Sequence, residues 1–195
     1  MYMSAVSTDT DTQKKRIHPH KFTLWVAMGS IIMMFAGLTS AYVVKRAQSK
    51  WIEFDLPVTF WIATVVILIS SGTIHLALKA FKAREMARYR LLITITAVLG
   101  LLFAGLQLVG FLQVNHEVPM LYENSNPSSS FLGIIGGLHA LHVLGGVVAI
   151  LVIFFRAYSV KNKQYASTPV EIVATYWHFV DILWIYLFVF FNWIG

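Results

Sequence analysis

The chain has 195 residues, of which 57% are hydrophobic and only 12% charged, and its formal net charge is +6. Soluble domains carry about 25% charged residues, so this balance points to an integral membrane protein with no length left for a separate soluble domain. There is no cysteine, which excludes disulfides, thiolate zinc sites and iron–sulfur clusters; the basic residues sit in short stretches between apolar segments, which argues against nucleic-acid binding.

Residues 1–21 form a polar tail that ends in Lys14-Lys15-Arg16 and His18-Pro19-His20-Lys21. Its two histidines read as part of an exposed tail beside lipid headgroups, ahead of metal binding. The first apolar segment covers about 22–44. It is too long for a signal-peptide core of about 7–15 residues, and Gly37 with Ala41 forms a small-residue pair that would allow close helix contact. The second, about 58–80, follows Pro57 and carries Ser70, Ser71, Thr73 and His75 towards its far end. The third, about 90–114, contains Gly100, Gly105, Gln107 and Gly110. The fourth, about 131–155, is glycine-rich and includes Gly136-Gly137-Leu138-His139-Ala140-Leu141-His142-Val143-Leu144-Gly145-Gly146. The fifth, about 170–193, includes Tyr176-Trp177-His178-Phe179-Val180-Asp181-Ile182-Leu183-Trp184. Each is long enough for one span with some tilt. The expected fold is an all-α integral membrane bundle of five transmembrane helices, with one membrane domain over 22–195.

Loop charge predicts orientation. Lys14, Lys15, Arg16, Lys21, Lys79, Lys82, Arg84, Arg88, Arg90, Arg156, Lys161 and Lys163 fall on one side, against Lys45, Arg46 and Lys50 on the other. Twelve against three is a positive-inside bias that places the amino terminus in the cytoplasm and the carboxyl terminus outside. At about 1.5 Å per residue, His142, His178 and Asp181 then lie at similar depth. His139 is about a turn nearer the outer face, Gln107 is in the outer half and His75 lies towards the inner face. If the last two helices are neighbours, a His142–Asp181 contact is available.

An ionisable side chain near mid-membrane costs about 3 kcal/mol on insertion scales. His178 and Asp181, three apart on one helix face, can satisfy each other or share a partner. A structural polar contact between helices is the leading reading, with a proton-carrying or ligand role as the alternative; either requires this helix to be packed against protein. Trp25, Trp51, Trp61, Trp177 and Trp193 lie near segment ends, as interfacial anchors do, whereas Trp184 is expected to be buried.

Four intramembrane histidines invite a haem reading. His139 and His142, on one helix, cannot clamp one haem axially, which leaves only a His142–His178 pair across helices. One deep carboxylate without a thiol or an HExxH-type pair makes a poor metal site. No Ser–His–acid set, phosphate-binding motif or inverted repeat is apparent. The pattern fits a packed helical subunit better than a stand-alone catalyst, and a histidine-ligated membrane cytochrome is the alternative from a different class; a small transporter with Asp181 as its ion site is a third.

The run from Tyr176 to Trp184, with the closing Trp193-Ile194-Gly195, closely resembles the terminal signature of subunit III of haem–copper oxidases, the cytochrome c oxidase subunit III family. Gly137-Leu138-His139-Ala140-Leu141-His142-Val143, then Gly145, is similar to the helix preceding it, and Arg156 after Phe154-Phe155 also fits. The stretches 67–73 and 99–107 fit more weakly, and the resemblance spans about 22–195. It implies a non-redox accessory subunit of a proton-pumping terminal oxidase, cytochrome c or quinol type, in a bacterial inner membrane. Haems and copper would then reside in partner subunits I and II, with none bound by this chain. Subunit I would be the main contact and lipids would bind; membership of a respiratory supercomplex is compatible with this. His139, His142, Arg156, His178, Asp181 and Gln107 would be structural or lipid contacts, with Arg156 the best candidate for an anionic lipid phosphate. Three features depart from the family pattern: five spans instead of the seven of many members, Ala41 where a carboxylate usually follows the serine, and Gly110 where a glutamate often stands three residues after the glutamine. The two missing carboxylates weigh against a proton-conducting role, and Asp181 is expected to be structural.

Overall fold

The structure, a computed structural model, describes residues 19–47, 56–117, 127–159 and 167–194. Five helices account for nearly all of them: α1 (Pro19–Arg46), α2 (Val58–Lys82), α3 (Met86–Glu117), α4 (Pro127–Tyr158) and α5 (Thr168–Ile194). All five are long and apolar enough to cross a membrane, and the described residues contain no strand. The helices run a few residues beyond the apolar segments. At 25–32 residues for α2 to α5 they are about 38–48 Å long, which carries their ends past a hydrocarbon core of about 30 Å into the headgroup layers. Prolines mark several starts: Pro57 precedes α2, and Pro169 stands in the first turn of α5, where its missing N–H leaves no intrahelical bond unmade.

The turn from α2 to α3 is the tightest. Its closure comes from Ala83 N–H to Lys79 O and Glu85 N–H to Ala80 O, both 3.0 Å. Between them Arg84 takes a left-handed φ of 60°, the conformation that ends many helices. This hairpin sets α2 and α3 antiparallel along their full length.

Helices α2, α3, α4 and α5 close a four-helix ring in which each touches the next, and α1 lies outside it, against α4 and α5 only. Directions alternate along the chain. Arg90 at the start of α3 donates to Ala157 O at the end of α4 (2.9 Å), while Thr59 at the start of α2 donates to Gln113 near the end of α3 (2.7 Å). Lys21, Lys82, Arg88, Arg90 and Arg156 therefore gather at one end of the bundle, the basic end. Tyr42 packs edge-on to Phe131, Phe190 and Phe191 at the other.

Lipid tails are as apolar as leucine, so a membrane bundle coheres by close packing and polar contacts more than by the hydrophobic effect. Here aromatic rings from one helix fill notches left by glycines on another. Trp177 is fully buried between Gly100 of α3 and Gly146 of α4. A Cβ at Gly100 would stand 3.2 Å, and one at Gly146 2.9 Å, from its ring atoms. Phe60 fills the notch at Gly110 and Phe111 the one at Gly136, and these two rings meet edge to face.

Candidate functional site

The ionisable and polar side chains inside the bundle form three groups, each positioned by α5. At the basic end, Glu171 in the first turn of α5 accepts from Lys21 of α1 at 2.7 Å and from Lys82 of α2 at 3.0 Å. The Arg88–Glu85 pair is local to the α2–α3 turn and the start of α3. The clamp ties the outlying α1 to the ring.

About two turns further in, His178 Nδ1 and Ser71 Oγ of α2 lie 2.6 Å apart, and the His178 and His75 rings are 6.2 Å apart. Ser71 also comes within electrostatic reach of Asp181, although no hydrogen bond of good geometry reaches either carboxyl oxygen. Asp181 is buried, at 2% exposure. His178 and Asp181 thus have Ser71 as a common neighbour, but only His178 is hydrogen-bonded to it. The helix is packed against protein at this depth, as expected.

Around the ring centre lie Trp184, His139 and Gln107. Trp184 is buried, donates to Thr64 Oγ1 at 3.0 Å and stacks on His139 with ring centroids 5.3 Å apart. His139 and Gln107 are both buried, and neither makes a hydrogen bond through its side chain. His142, one turn along α4, turns the other way. Its Nδ1 lies 2.7 Å from Leu138 O on its own helix, and its ring meets Phe35 of α1 edge-on at 5.9 Å. Arg156 is exposed in the last turn of α4.

Several expectations need correction. The helices α4 and α5 are neighbours, but no His142–Asp181 hydrogen bond forms, because His142 faces α1 and Asp181 faces the ring. Trp177 is no interfacial anchor; it is the largest fully buried side chain, because the glycines opposite it open a slot one ring deep. Trp25, Trp61 and Trp193 are exposed near helix ends, as anchors should be, and Trp51 lies outside the described residues. Gly37 and Ala41 face outward, with nothing within 4 Å of a Cβ at Gly37; the close glycine contacts are made by α3 and α4 instead. Lys14, Lys15, Arg16, Lys50, Lys161 and Lys163 also lie outside the described residues.

Sequence reasoning missed the Glu171 clamp and the bridging place of Ser71. The signal was present in an acid ten residues before Asp181, at the depth of the lysines that open the first segment and close the second. It also missed Tyr186, whose hydroxyl pairs with Thr39 of α1 at 2.9 Å, and Tyr176, which donates to His142 O at 3.1 Å. Among the described residues no three His, Asp or Glu side chains converge as a metal site would require. What the arrangement provides is cohesion between helices.

Comparison with known proteins points one way. The chain matches the family Cytochrome c oxidase subunit III over residues 49–195. It is similar to the probable cytochrome c oxidase subunit 3 of Nocardia farcinica (strain IFM 10152), 32% identical over 197 residues, covering 95% of this chain and 96% of the relative. The cytochrome c oxidase subunit 3 of Corynebacterium diphtheriae (strain ATCC 700971 / NCTC 13129 / Biotype gravis) is 34% identical over 178 residues, 84% and 85% of the two chains. That of Bacillus subtilis (strain 168) is 28% identical over 169 residues, 84% and 81%.

Proposed function

Because this chain belongs to the cytochrome c oxidase subunit III family, we propose that it works as a helical brace for the redox subunits of a respiratory oxidase. It is an accessory subunit of a haem–copper oxidase, and the redox cofactors sit in partner subunits. The single observation that carries this is the family match across the very residues, Gly136 to Val147 and Trp177 to Trp184, that pack the centre of the ring.

Subunit I is the main partner in this reading, with subunit II also in the complex. The support is the open surface of α1, which is outside the ring and only lightly buried, with Phe22, Trp25, Ile32 and Met33 all exposed. The membrane is a bacterial inner membrane, as the bacterial relatives suggest, with the basic end cytoplasmic by the positive-inside rule. His139, His142, His178, Asp181 and Gln107 are structural contacts, and Arg156 is the contact for an anionic lipid phosphate. A tag on this chain tests the reading. In mild detergent it brings down larger haem-bearing subunits together with oxygen-uptake activity; recovery of the chain alone from membranes that respire would contradict it.

A further inference from the structure

Three features of the α2–α5 interface belong together. Asp181 is a carboxyl buried to 2% exposure with neither oxygen hydrogen-bonded. Ser71, its neighbour across the interface, is hydrogen-bonded to His178 Nδ1 at 2.6 Å. His178 is half-buried, and beyond it His75 opens onto the bundle surface with its ring 6.2 Å away. His75 precedes Lys82, the last residue of α2, by seven positions, about 10 Å along the axis, which puts it on the basic-end side of Ser71.

We propose that Asp181, Ser71 and His178 form a proton relay, by which the buried carboxyl exchanges its proton with water at the basic end of the bundle. A serine hydroxyl between a carboxyl and an imidazole can accept from one while donating to the other. The step balances as follows. With His178 neutral and protonated on Nδ1, a hydronium ion at the basic end gives a proton to Nε2 and is left as water. The Nδ1 proton passes to Ser71 Oγ as the Ser71 hydroxyl proton passes to an Asp181 oxygen. His178 is left neutral with its proton on Nε2, Ser71 is again a hydroxyl, and Asp181 is a neutral acid. An unpaired carboxylate at this depth is costly, so the proton rests on Asp181, and the reverse transfer returns it.

No other route is built into the interior among the described residues. On α4, His139 is sealed against Trp184 and Phe35, and His142 is turned to Leu138 O and Phe35. At these depths α3 offers the uncharged Thr96, bonded to Thr73, and Gln107. The described ionisable groups of α1 are Lys21 at the basic end and Tyr42, Lys45 and Arg46 near the other. Lys79 and Lys82 lie beyond His75 on α2, and Glu171 is held by Lys21 and Lys82.

Infrared spectroscopy of the intact purified complex tests the relay. A carboxylic-acid band that disappears in Asp181→Asn and moves in Asp181→Glu identifies the protonated group, and the glutamate variant serves if the asparagine one fails to assemble. On transfer to heavy water that band shifts rapidly in the unmodified complex. Ser71→Ala and His178→Gln slow the shift at least tenfold, while His142→Gln leaves its rate unchanged. Absence of any band sensitive to Asp181, or exchange at the unmodified rate in both Ser71→Ala and His178→Gln, overturns the proposal.

Discussion

The indole N–H of Trp177 donates to Ser70 Oγ across the α2–α5 interface at 3.2 Å, while its ring occupies the slot between Gly100 and Gly146. One side chain thereby joins all four helices of the ring. Trp177→Ala is expected to cost about 3–5 kcal/mol through the lost packing, read as a lower dissociation temperature of the complex.

The glycine opposite Trp177 offers a sharper contrast. Gly146→Val places methyl groups where ring atoms already stand, and overpacking of this kind costs about 1–3 kcal/mol. Gly37→Val meets open space within this chain, so it leaves the bundle unharmed. If subunit I lies against this face of α1, Gly37→Val lowers co-purification of the partner without unfolding the bundle. Thermal stability of the isolated chain and pull-down yield separate the two effects.

Glu171 holds two lysines from different helices, yet the lysines are partly exposed, with side-chain exposures of 40% for Lys21 and 55% for Lys82. Exposed pairs contribute about 0.2–1 kcal/mol and are screened by salt. Glu171→Gln is therefore expected to loosen α1 while leaving the ring intact. Protease cleavage beside α1, measured at low and high salt, should rise in the variant and differ little from the unmodified chain at high salt.

His139 and Gln107 are buried polar side chains without hydrogen bonds. An apolar residue of similar volume removes the cost of such a group, about 1–3 kcal/mol when unsatisfied. Gln107→Leu and His139→Leu should hold or raise thermal stability in detergent. A fall of more than about 1 kcal/mol would mean that a bound water or partner group satisfies these side chains in the complex.

Arg156 ends α4 at the basic end, exposed, where anionic headgroups gather. Arg156→Ala should at least halve the anionic phospholipid retained through purification, with the bundle's stability unchanged. Native mass spectrometry of the complex reads this directly.

The five helices were legible because apolar length alone sets a span. The depths of His139, His178 and Asp181 were legible too, since a helix advances by a fixed rise. Side-chain direction was not. His142 lies level with Asp181 yet faces α1, because rotation about a helix axis depends on which neighbours pack there. Trp177 reads as an anchor from its place near a segment end, and only the antiparallel register that brings Gly100 and Gly146 opposite it makes it a core residue. Gly37 has the spacing of a contact, but its partner face is absent from this chain. Glu171 was overlooked because an acid near a segment end looks solvated until the ends of α1 and α2 are known to meet it.

The visible absorption spectrum, taken before and after this chain is stripped from its partners, tests the central claim most directly. A non-redox brace predicts that haem and copper arrive with the larger subunits in mild detergent, and that the chain freed by harsher detergent is colourless. A Soret band kept by the isolated chain, and lost on changing His142 or His178, would contradict it and make those histidines haem ligands.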